Sequence, residues 1–257
     1  LTVQALLSMT AVAPAVLAPV AQTDAGLAAS SIGIFTALVY LSAALSAPLG
    51  ATLVARSGAI RVSQYCLLLA GSGIALCTLA HPATLAAGAL LIGCGYGPIT
   101  PASSEILVAR TPGRVRNLVM SIRQTGVPLG GALAGTLVPF MLLAYDWKTV
   151  TLMIAALCML CMCALQPLRG RYDQVHPDAT LARRPSLVYL MRMVLVHAEL
   201  RQSAFASFAY GGMQWCLASF LVVFLTERAD VSLINAGIAL SAAMVGGVVG
   251  RVLWGVV

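Results

Sequence analysis

Apolar residues recur along the chain in runs of about 20, the length that carries a helix across a hydrocarbon core of roughly 30 Å. Polar residues collect in the short breaks between runs. The runs lack the strict alternation of a half-buried strand, and lipid offers no partner to a bare backbone, so the spans are expected to be helices. Eight are read, at about 2–22, 30–55, 61–80, 84–109, 116–143, 148–167, 202–226 and from about 233 to Val257. Of the connections, only 168–201 is extended. Within it "PSLVYLMRMVLVHAELRQ" (185–202) has two readings. It is either a helix lying on the membrane interface with Arg192, His197 and Arg201 turned to water, or an extension of the seventh span.

The spans differ in polarity. The sixth, "VTLMIAALCMLCMCALQPL", is almost purely apolar, and the third holds little beyond Ser63, Gln64, Tyr65 and Ser72. The first carries Gln4, Ser8 and Thr10; the fourth Tyr96, Thr100, Ser103, Ser104 and Glu105; the seventh Ser207, Tyr210, Gln214 and Trp215. Polar groups at membrane depth face other helices or water. Spans 1, 4 and 7 are therefore expected to line a cavity, and spans 3 and 6 to face lipid, with a period of three. An internal echo has the same period: "APLGATLVA" (47–55) in span 2 resembles "VPLGGALAG" (127–135) in span 5.

Composition agrees. Of the 257 residues 60% are hydrophobic and 9% charged, with mean hydropathy +0.94. A soluble domain carries about 25% charged residues to wet its surface. The expected class is an all-α polytopic membrane protein whose first partner is the lipid bilayer. The net charge of +7 does not point to nucleic acid, because the arginines sit in short clusters between apolar runs. Arg56 and Arg61 follow span 2; Arg110, Arg114 and Arg116 follow span 4; Arg169, Arg171, Arg183, Arg184, Arg192 and Arg201 follow span 6. The alternate connections hold only Lys148 and Arg228. The positive-inside rule puts the loops after helices 2, 4 and 6 in the cytoplasm, and the protein in the inner (cytoplasmic) membrane. The chain starts at Leu1 with no cleavable leader, so a native N-terminus is expected to lie ahead of it.

Catalytic and metal chemistry find little support. The seven cysteines are spread through apolar segments. Cys158, Cys161 and Cys163 lie among methionines without a nearby His, Asp or Glu, and residues two apart on a helix point different ways. The glycines of "GCGYGPITPASSEILVAR" (93–110) lie within a membrane run, not between a strand and a helix, and read as packing and bending positions with Pro98 and Pro101. No HExxH or GxSxG is present, and His81, His176 and His197 are scattered. Neither metal nor cofactor is expected, and a polytopic membrane enzyme is the disfavoured alternative.

Three charges interrupt the spans. Glu105 lies about 7–8 Å inside Arg110, and Arg123 about 10 Å inside Arg116, counting 1.5 Å of rise per residue. Similar depth on consecutive helices allows an ion pair; the other readings are separate roles or an arginine reaching back to the interface. Arg251, in "VGGVVGRVLWGVV" (245–257), is deeper than such reaching comfortably allows and is expected to face a cavity.

Two motifs carry a resemblance. "GATLVARSGAIR" (50–61) resembles motif A of the major facilitator superfamily through Ala51, Arg56, Gly58 and Arg61, although Ala55 stands where that family usually has Asp. "SIRQTGVPLGGALAG" (121–135) resembles the family's glycine–proline motif of the fifth span, with Val127 in place of its first glycine. Pro128 permits a bend, and Gly130, Gly131 and Gly135 let another helix approach. "GRVLWG" resembles the eighth span of monocarboxylate and oxalate–formate carriers, where an arginine binds the substrate carboxylate.

The resemblance implies a six-helix bundle over 1–167, a central cytoplasmic loop over 168–201, and the first two helices of a second bundle over 202–257. Four more spans would follow Val257. It also implies alternating access around a site near the midplane, in a protein monomeric at full length. Spans 5 and 8 would flank the seam between bundles, bringing Arg123 and Arg251 close. Candidate substrate-binding residues are Arg251, Arg123, Gln124, Tyr96, Tyr210, Gln214 and Gln4, with Glu105 as the proton-coupling candidate. The implied function is secondary transport of a small organic anion by proton symport; a drug exporter of the same superfamily is the alternative.

Overall fold

The computed structural model describes residues 1–26, 31–173 and 187–256. The side chains of Glu105, Arg110, Arg171 and Trp254 are among those outside the described residues. All regular structure in the described residues is helical: α1 (Thr2–Ala25), α2 (Ile32–Ser57), α3 (Ala59–Leu76, prolonged by a 3-10 turn over Cys77–Leu79), α4 (Pro82–Tyr96), α5 (Ile99–Arg110), α6 (Arg116–Gln124), α7 (Gly126–Met141), α8 (Trp147–Ala164), α9 (Arg169–Tyr172), α10 (Leu187–Val196), α11 (Ala198–Arg228) and α12 (Leu233–Val256). Among the described residues seven segments are long and apolar enough to cross a membrane, the fourth running through α4 into α5 over Pro82–Ser104. α6 and α7 follow one another across Thr125, each too short to cross a membrane alone.

Proline explains both interruptions. Pro98 and Pro101 cannot donate backbone hydrogen bonds, which leaves the carbonyls one turn earlier without an intrahelical partner and divides α4 from α5. Pro128 does the same to the Gln124 carbonyl. Beside it the Thr125 hydroxyl donates to the Ile122 carbonyl at 2.6 Å, and the ladder resumes at Leu129.

The ends are fixed by local polar contacts. His81 Nδ1 accepts from the Ala83 amide, and Thr84 returns toward the His81 backbone, closing a capping box at the start of α4. Asp146 accepts from the Lys148 and Thr149 amides and caps α8. Asp24 at the end of α1 accepts from Trp147 Nε1 at 3.0 Å and pairs with Lys148 at 3.4 Å. Thus the one lysine among the arginine-poor connections is locally neutralised. Arg228 marks the same end on α11.

α1 is the best-buried crossing and packs along α7, while α2 and α3 both pack on α4. α8 turns Leu152, Leu157 and Leu160 outward, as a lipid-facing helix would. α3 turns one face outward, with Tyr65 and Leu68 exposed, and buries the other. It is wedged between α4 and α8 because its small residues admit a neighbour on each side: Gly73 abuts Gly88 and Ile92, and Gly71 abuts Ala155 and Cys158. Its Gln64 is buried too, donating to the Met162 carbonyl and to Gln166. Size, not polarity, sets the burial of α3. α10 is a helix in its own right, ended at His197, whose extended backbone (φ −83°, ψ 118°) turns the chain before α11 begins.

α11 lies against α1 and the edge of α2, and α12 lies along α6 and α7. The seam so formed has two unlike ends. Toward the arginine-poor end it is shut: the Phe220 ring covers Gly33, Gly135 meets Gly237, and Ser241 bridges to Thr136 Oγ1 and the Ala132 carbonyl, each at 2.8 Å. Toward the arginine-rich end it holds a cavity.

Candidate functional site

That cavity, about 1070 Å³, lies between α6, α7, α11 and α12. Its polar wall includes Asn117, Ser121, Gln124, Tyr210, Gln214 and Arg251, and its apolar wall includes Met213, Leu217 and Met244. Arg251 is half-buried on α12. One terminal nitrogen donates to the Gly247 carbonyl one turn earlier at 3.3 Å, and the other to Gln214 Oε1 on α11 at 3.4 Å. A guanidinium has five donors, so these two long bonds leave most of its capacity free. Among the described residues no carboxylate lies within ion-pair distance of it. The lack of a side chain at Gly247 makes room for the guanidinium, whose Nη1 would lie 3.2 Å from a Cβ there, and Gly246 and Gly250 leave the neighbouring positions of α12 open.

The other candidates divide. Gln124, Tyr210, Gln214 and Arg251 share this cavity. Arg123 does not: only 7% exposed, it turns toward α5 and donates to the Thr100 carbonyl at 3.2 Å and Ser103 Oγ at 2.7 Å. The expected approach of Arg123 to Arg251 therefore fails: Arg123 lies off the cavity-lining face of α6, and its guanidinium is taken up by Thr100 and Ser103 of α5. The Glu105 side chain lies outside the described residues, so its proposed pairing with Arg123 does too.

Gln4 is 4% exposed on α1 and lies against Gly126. Tyr96 packs edge-on to Tyr40 of α2 at 5.9 Å between ring centres and to Trp215 of α11 at 6.4 Å; Tyr40 and Trp215 lie 4.2 Å apart at 39°. The Tyr96 hydroxyl is within hydrogen-bonding reach of Gln4 and Ser8 and within Coulombic range of Arg251. Tyr40 escaped the sequence reading because a lone tyrosine in an apolar run looks like filler. Trp215 was legible only as one of several polar-edged residues in its span.

The motif-A-like turn holds a second surprise. Gly58 has φ +85°, a conformation that favours glycine. Its missing side chain makes room for Asp173, whose carboxylate accepts from the Ile60 amide at 2.7 Å and the Arg61 amide at 3.1 Å. Arg169 lies 3.8 Å from the same carboxylate. Asp173 thus caps α3 from the far end of α8–α9, placing an anion on the positive end of that helix. Ala55, where the family usually has Asp, is buried one turn away. Arg56 is exposed, Ala51 is half-buried, and Arg61 donates from Nε to the Tyr65 hydroxyl at 2.9 Å. In the sequence, Asp173 was one acidic residue in an arginine-rich connection, 112 positions from Arg61.

The glycines of α7 each serve a contact: Gly130 meets Ala5, Ser8 and Met9 of α1, Gly131 meets Met244, and Gly135 meets Gly237 and Ser241 of α12. Pro128 abuts Gly247, beside Arg251. A smaller cavity of about 280 Å³ near the arginine-poor end, walled by Leu17, Phe35, Leu38, Ile74 and Trp147, is almost wholly apolar and carries no charged group.

A bundle of membrane-crossing helices with a polar cavity at a helix seam defines a polytopic α-helical membrane protein of transporter type. The family signature of the Major Facilitator Superfamily matches residues 1–257, and the chain belongs to that family. It is similar to a gallate transporter of Pseudomonas putida, 30% identical over 141 residues, which make up 53% of this chain and 30% of that one. It is also similar to a hexuronate transporter of Bacillus subtilis (strain 168), 22% identical over 151 residues, 56% of this chain and 35% of that one. Among solved structures it resembles a bacterial homolog of the human lysosomal transporter Spinster in an inward-facing and occupied conformation. The TM-score is 0.61 at 20% identity, over 93% of this chain and 56% of the other. The chain thus spans about a third of the curated relatives and about half of the solved one.

Proposed function

We propose that the full-length protein is a secondary carrier for a small organic anion, with Arg251 as the group that binds the anion's carboxylate. The observation that carries this reading is a guanidinium held at a cavity wall without a carboxylate partner among the described residues. Such a charge is costly at membrane depth unless hydrated or paired, and an anionic substrate is the partner that comes and goes. Planar paired donors suit a carboxylate, and Gln214, Gln124 and Tyr210 add neutral donors around it. The two curated relatives are named for gallate and hexuronate, both carboxylates. In this reading 1–167 and 202–257 belong to two bundles joined by the 168–201 connection, and the arginine-rich connections face the cytoplasm. The shut seam at one end and the cavity at the other correspond to an inward-facing state. Glu105 serves proton coupling, and Arg123 holds α5 to α6 rather than touching substrate.

The test is uptake of labelled carboxylates by the intact carrier in proteoliposomes, with and without an imposed pH gradient. Arg251→Lys is expected to weaken carboxylate binding at least 10-fold with membrane yield unchanged, because a lysine offers a point charge in place of a planar fork. Wild-type affinity in Arg251→Ala would falsify the assignment.

A further inference from the structure

Where α7 meets α12, Gly131 faces Met244 and Pro128 faces Gly247, so the two helices run antiparallel. α12 continues along α6. Gln124 lies four residues before Pro128, and Arg251 lies four residues after Gly247. The register therefore sets Gln124 and Arg251 at one level, on different walls of the same cavity. Gln214 of α11 joins that level through its bond to Arg251. Ser121 lies about 4.5 Å nearer the arginine-rich end than Gln124, and Tyr210 about 6 Å nearer it than Gln214. Spacings of four and three residues put Asn117, Ser121 and Gln124 on one face of α6. Toward the shut end the wall changes character: Leu217 lies about one turn beyond Gln214, and Met244 about two turns before Arg251. The cavity is thus apolar on one side of the guanidinium and polar on the other.

Two further observations narrow what the polar side takes. Among the described residues the side chains of Ser121, Gln124 and Tyr210 have no hydrogen-bond partner, although each can both donate and accept. Arg251 is the one charged side chain among the described residues of the wall. Amides and hydroxyls match the hydroxyls of a substrate, which also donate and accept. They offer no counter-charge to a second carboxylate, which would give up its water without compensation.

We propose that the cavity takes a polyhydroxylated monocarboxylate. Its carboxylate sits on Arg251, and its hydroxyls extend toward the arginine-rich end, where Gln124, Ser121 and Tyr210 bond them. The proposal rests on the reading of Arg251 as the carboxylate anchor and narrows it. An unsubstituted aliphatic acid shares the anchor but displaces water from the polar wall without replacing its hydrogen bonds. A dicarboxylate brings a charge that the wall does not meet.

Binding to the intact, purified carrier is measured by equilibrium dialysis with three labelled probes built on one six-carbon chain: gluconate, hexanoate and glucarate. Hexanoate keeps the single carboxylate and lacks the hydroxyls; glucarate keeps hydroxyls and adds a second carboxylate. Each hydrogen bond to a substrate hydroxyl is expected to contribute about 2–10-fold in affinity. In the wild type gluconate should bind at least 10-fold more tightly than either of the others. Gln124→Leu and Ser121→Ala should each cost gluconate about 2–10-fold more than they cost hexanoate. Arg251→Ala should weaken gluconate and hexanoate by the same factor. Hexanoate binding as tightly as gluconate overturns the hydroxyl-binding wall while leaving the carboxylate carrier intact, and that comparison needs no variant to fold. Glucarate binding as tightly as gluconate overturns the restriction to one charge. Equal losses for gluconate and hexanoate in both α6 variants also overturn the proposal, since side chains that merely shape the cavity would act that way. Failure of gluconate to bind while other carboxylates are taken up overturns the substrate class, and failure of every carboxylate removes the carrier reading itself.

Discussion

Gly130 and Gly135 lie five residues apart on one helix, yet alanine at each is expected to fail differently. A Cβ at Gly135 would lie 2.6 Å from the Gly237 carbonyl oxygen and 2.7 Å from Ser241 Oγ, both on α12. A carbon normally approaches a carbonyl oxygen to about 3.3 Å, so α7 and α12 would have to part by roughly 0.7 Å. Overpacking of this kind costs about 1–3 kcal/mol. At 1.4 kcal/mol per factor of ten, that is roughly 5- to 150-fold in the ratio of two conformations. In the proposed mechanism this contact exists only while the arginine-poor end of the seam is shut, so Gly135→Ala lowers the weight of that state. A Cβ at Gly130 would lie 2.7 Å from both the Met9 nitrogen and Ser8 Cβ of α1. Both helices belong to the same proposed bundle and stay packed in either state, so the same strain should appear as lost yield and thermal stability.

Single cysteines separate the two outcomes. Cysteine at exposed Gln124 reports the cavity, and cysteine at Ile32, 6% exposed beside Ala15 and Val223, reports the shut end. Gly135→Ala should slow maleimide labelling at position 124 and speed it at position 32, with yield near wild type. Gly130→Ala should leave both rates in place and lower the yield. If Gly135→Ala instead loses yield with both labelling rates unchanged, α7 and α12 form a permanent interface and the alternating seam is wrong.

Asp173→Ala should remove two charge-assisted bonds to the start of α3 and lower thermal stability by about 1–3 kcal/mol. Combined with Gly58→Ala it should cost less than the sum, because the alanine methyl collides with the Asp173 side chain; strict additivity would refute the shared locus. Cysteines at positions 24 and 171 should label from opposite sides of the membrane, with 171 on the cytoplasmic side; labelling of both from one side would refute the proposed topology. The Thr149 hydroxyl and amide, with the Lys148 amide, hold the Asp146 carboxyl below its ordinary pKa. A depressed folded pKa stabilises above the unfolded value and is lost as pH falls through the folded one. The cap on α8 should therefore survive mild acidification and be released only below the usual carboxylate range, as followed by Trp147 fluorescence.

Helix edges were legible to within a few residues because membrane thickness sets a length and prolines and charges punctuate it. The reading of span 3 as lipid-facing described only its exposed face and missed the buried one. Facing was inferred from polarity, and in lipid the driving force between helices is close approach, which Gly71 and Gly73 supply without any polar signal. The Asp173 cap was equally hidden. Its two partners lie in the Ile60–Arg61 turn, and nothing local to residue 173 announces a helix terminus that arrives from over 100 positions away. The open backbone at Gly58 was the visible half of that contact. A glycine at the end of a helix, before a basic turn, implies something close, but not what.

For the cavity, charge was the better guide and depth a poor one. Arg123 and Arg251 both interrupt apolar runs, and depth alone made them neighbours. What separates them is angular position. Gln124, not Arg123, faces the seam, so Arg123 spends its donors on Thr100 and Ser103 while Arg251 keeps most of its own free. Two arginines with the same sequence signature thus fall into different surroundings: one is consumed in joining helices, the other stands at the cavity wall with most of its donors free. The same angular logic sets Trp215 apart from Gln214. One residue of helix turns the side chain from the guanidinium toward Tyr40 and Tyr96, so a single turn of α11 offers Gln214 to Arg251 and Trp215 to the rings of α2 and α4.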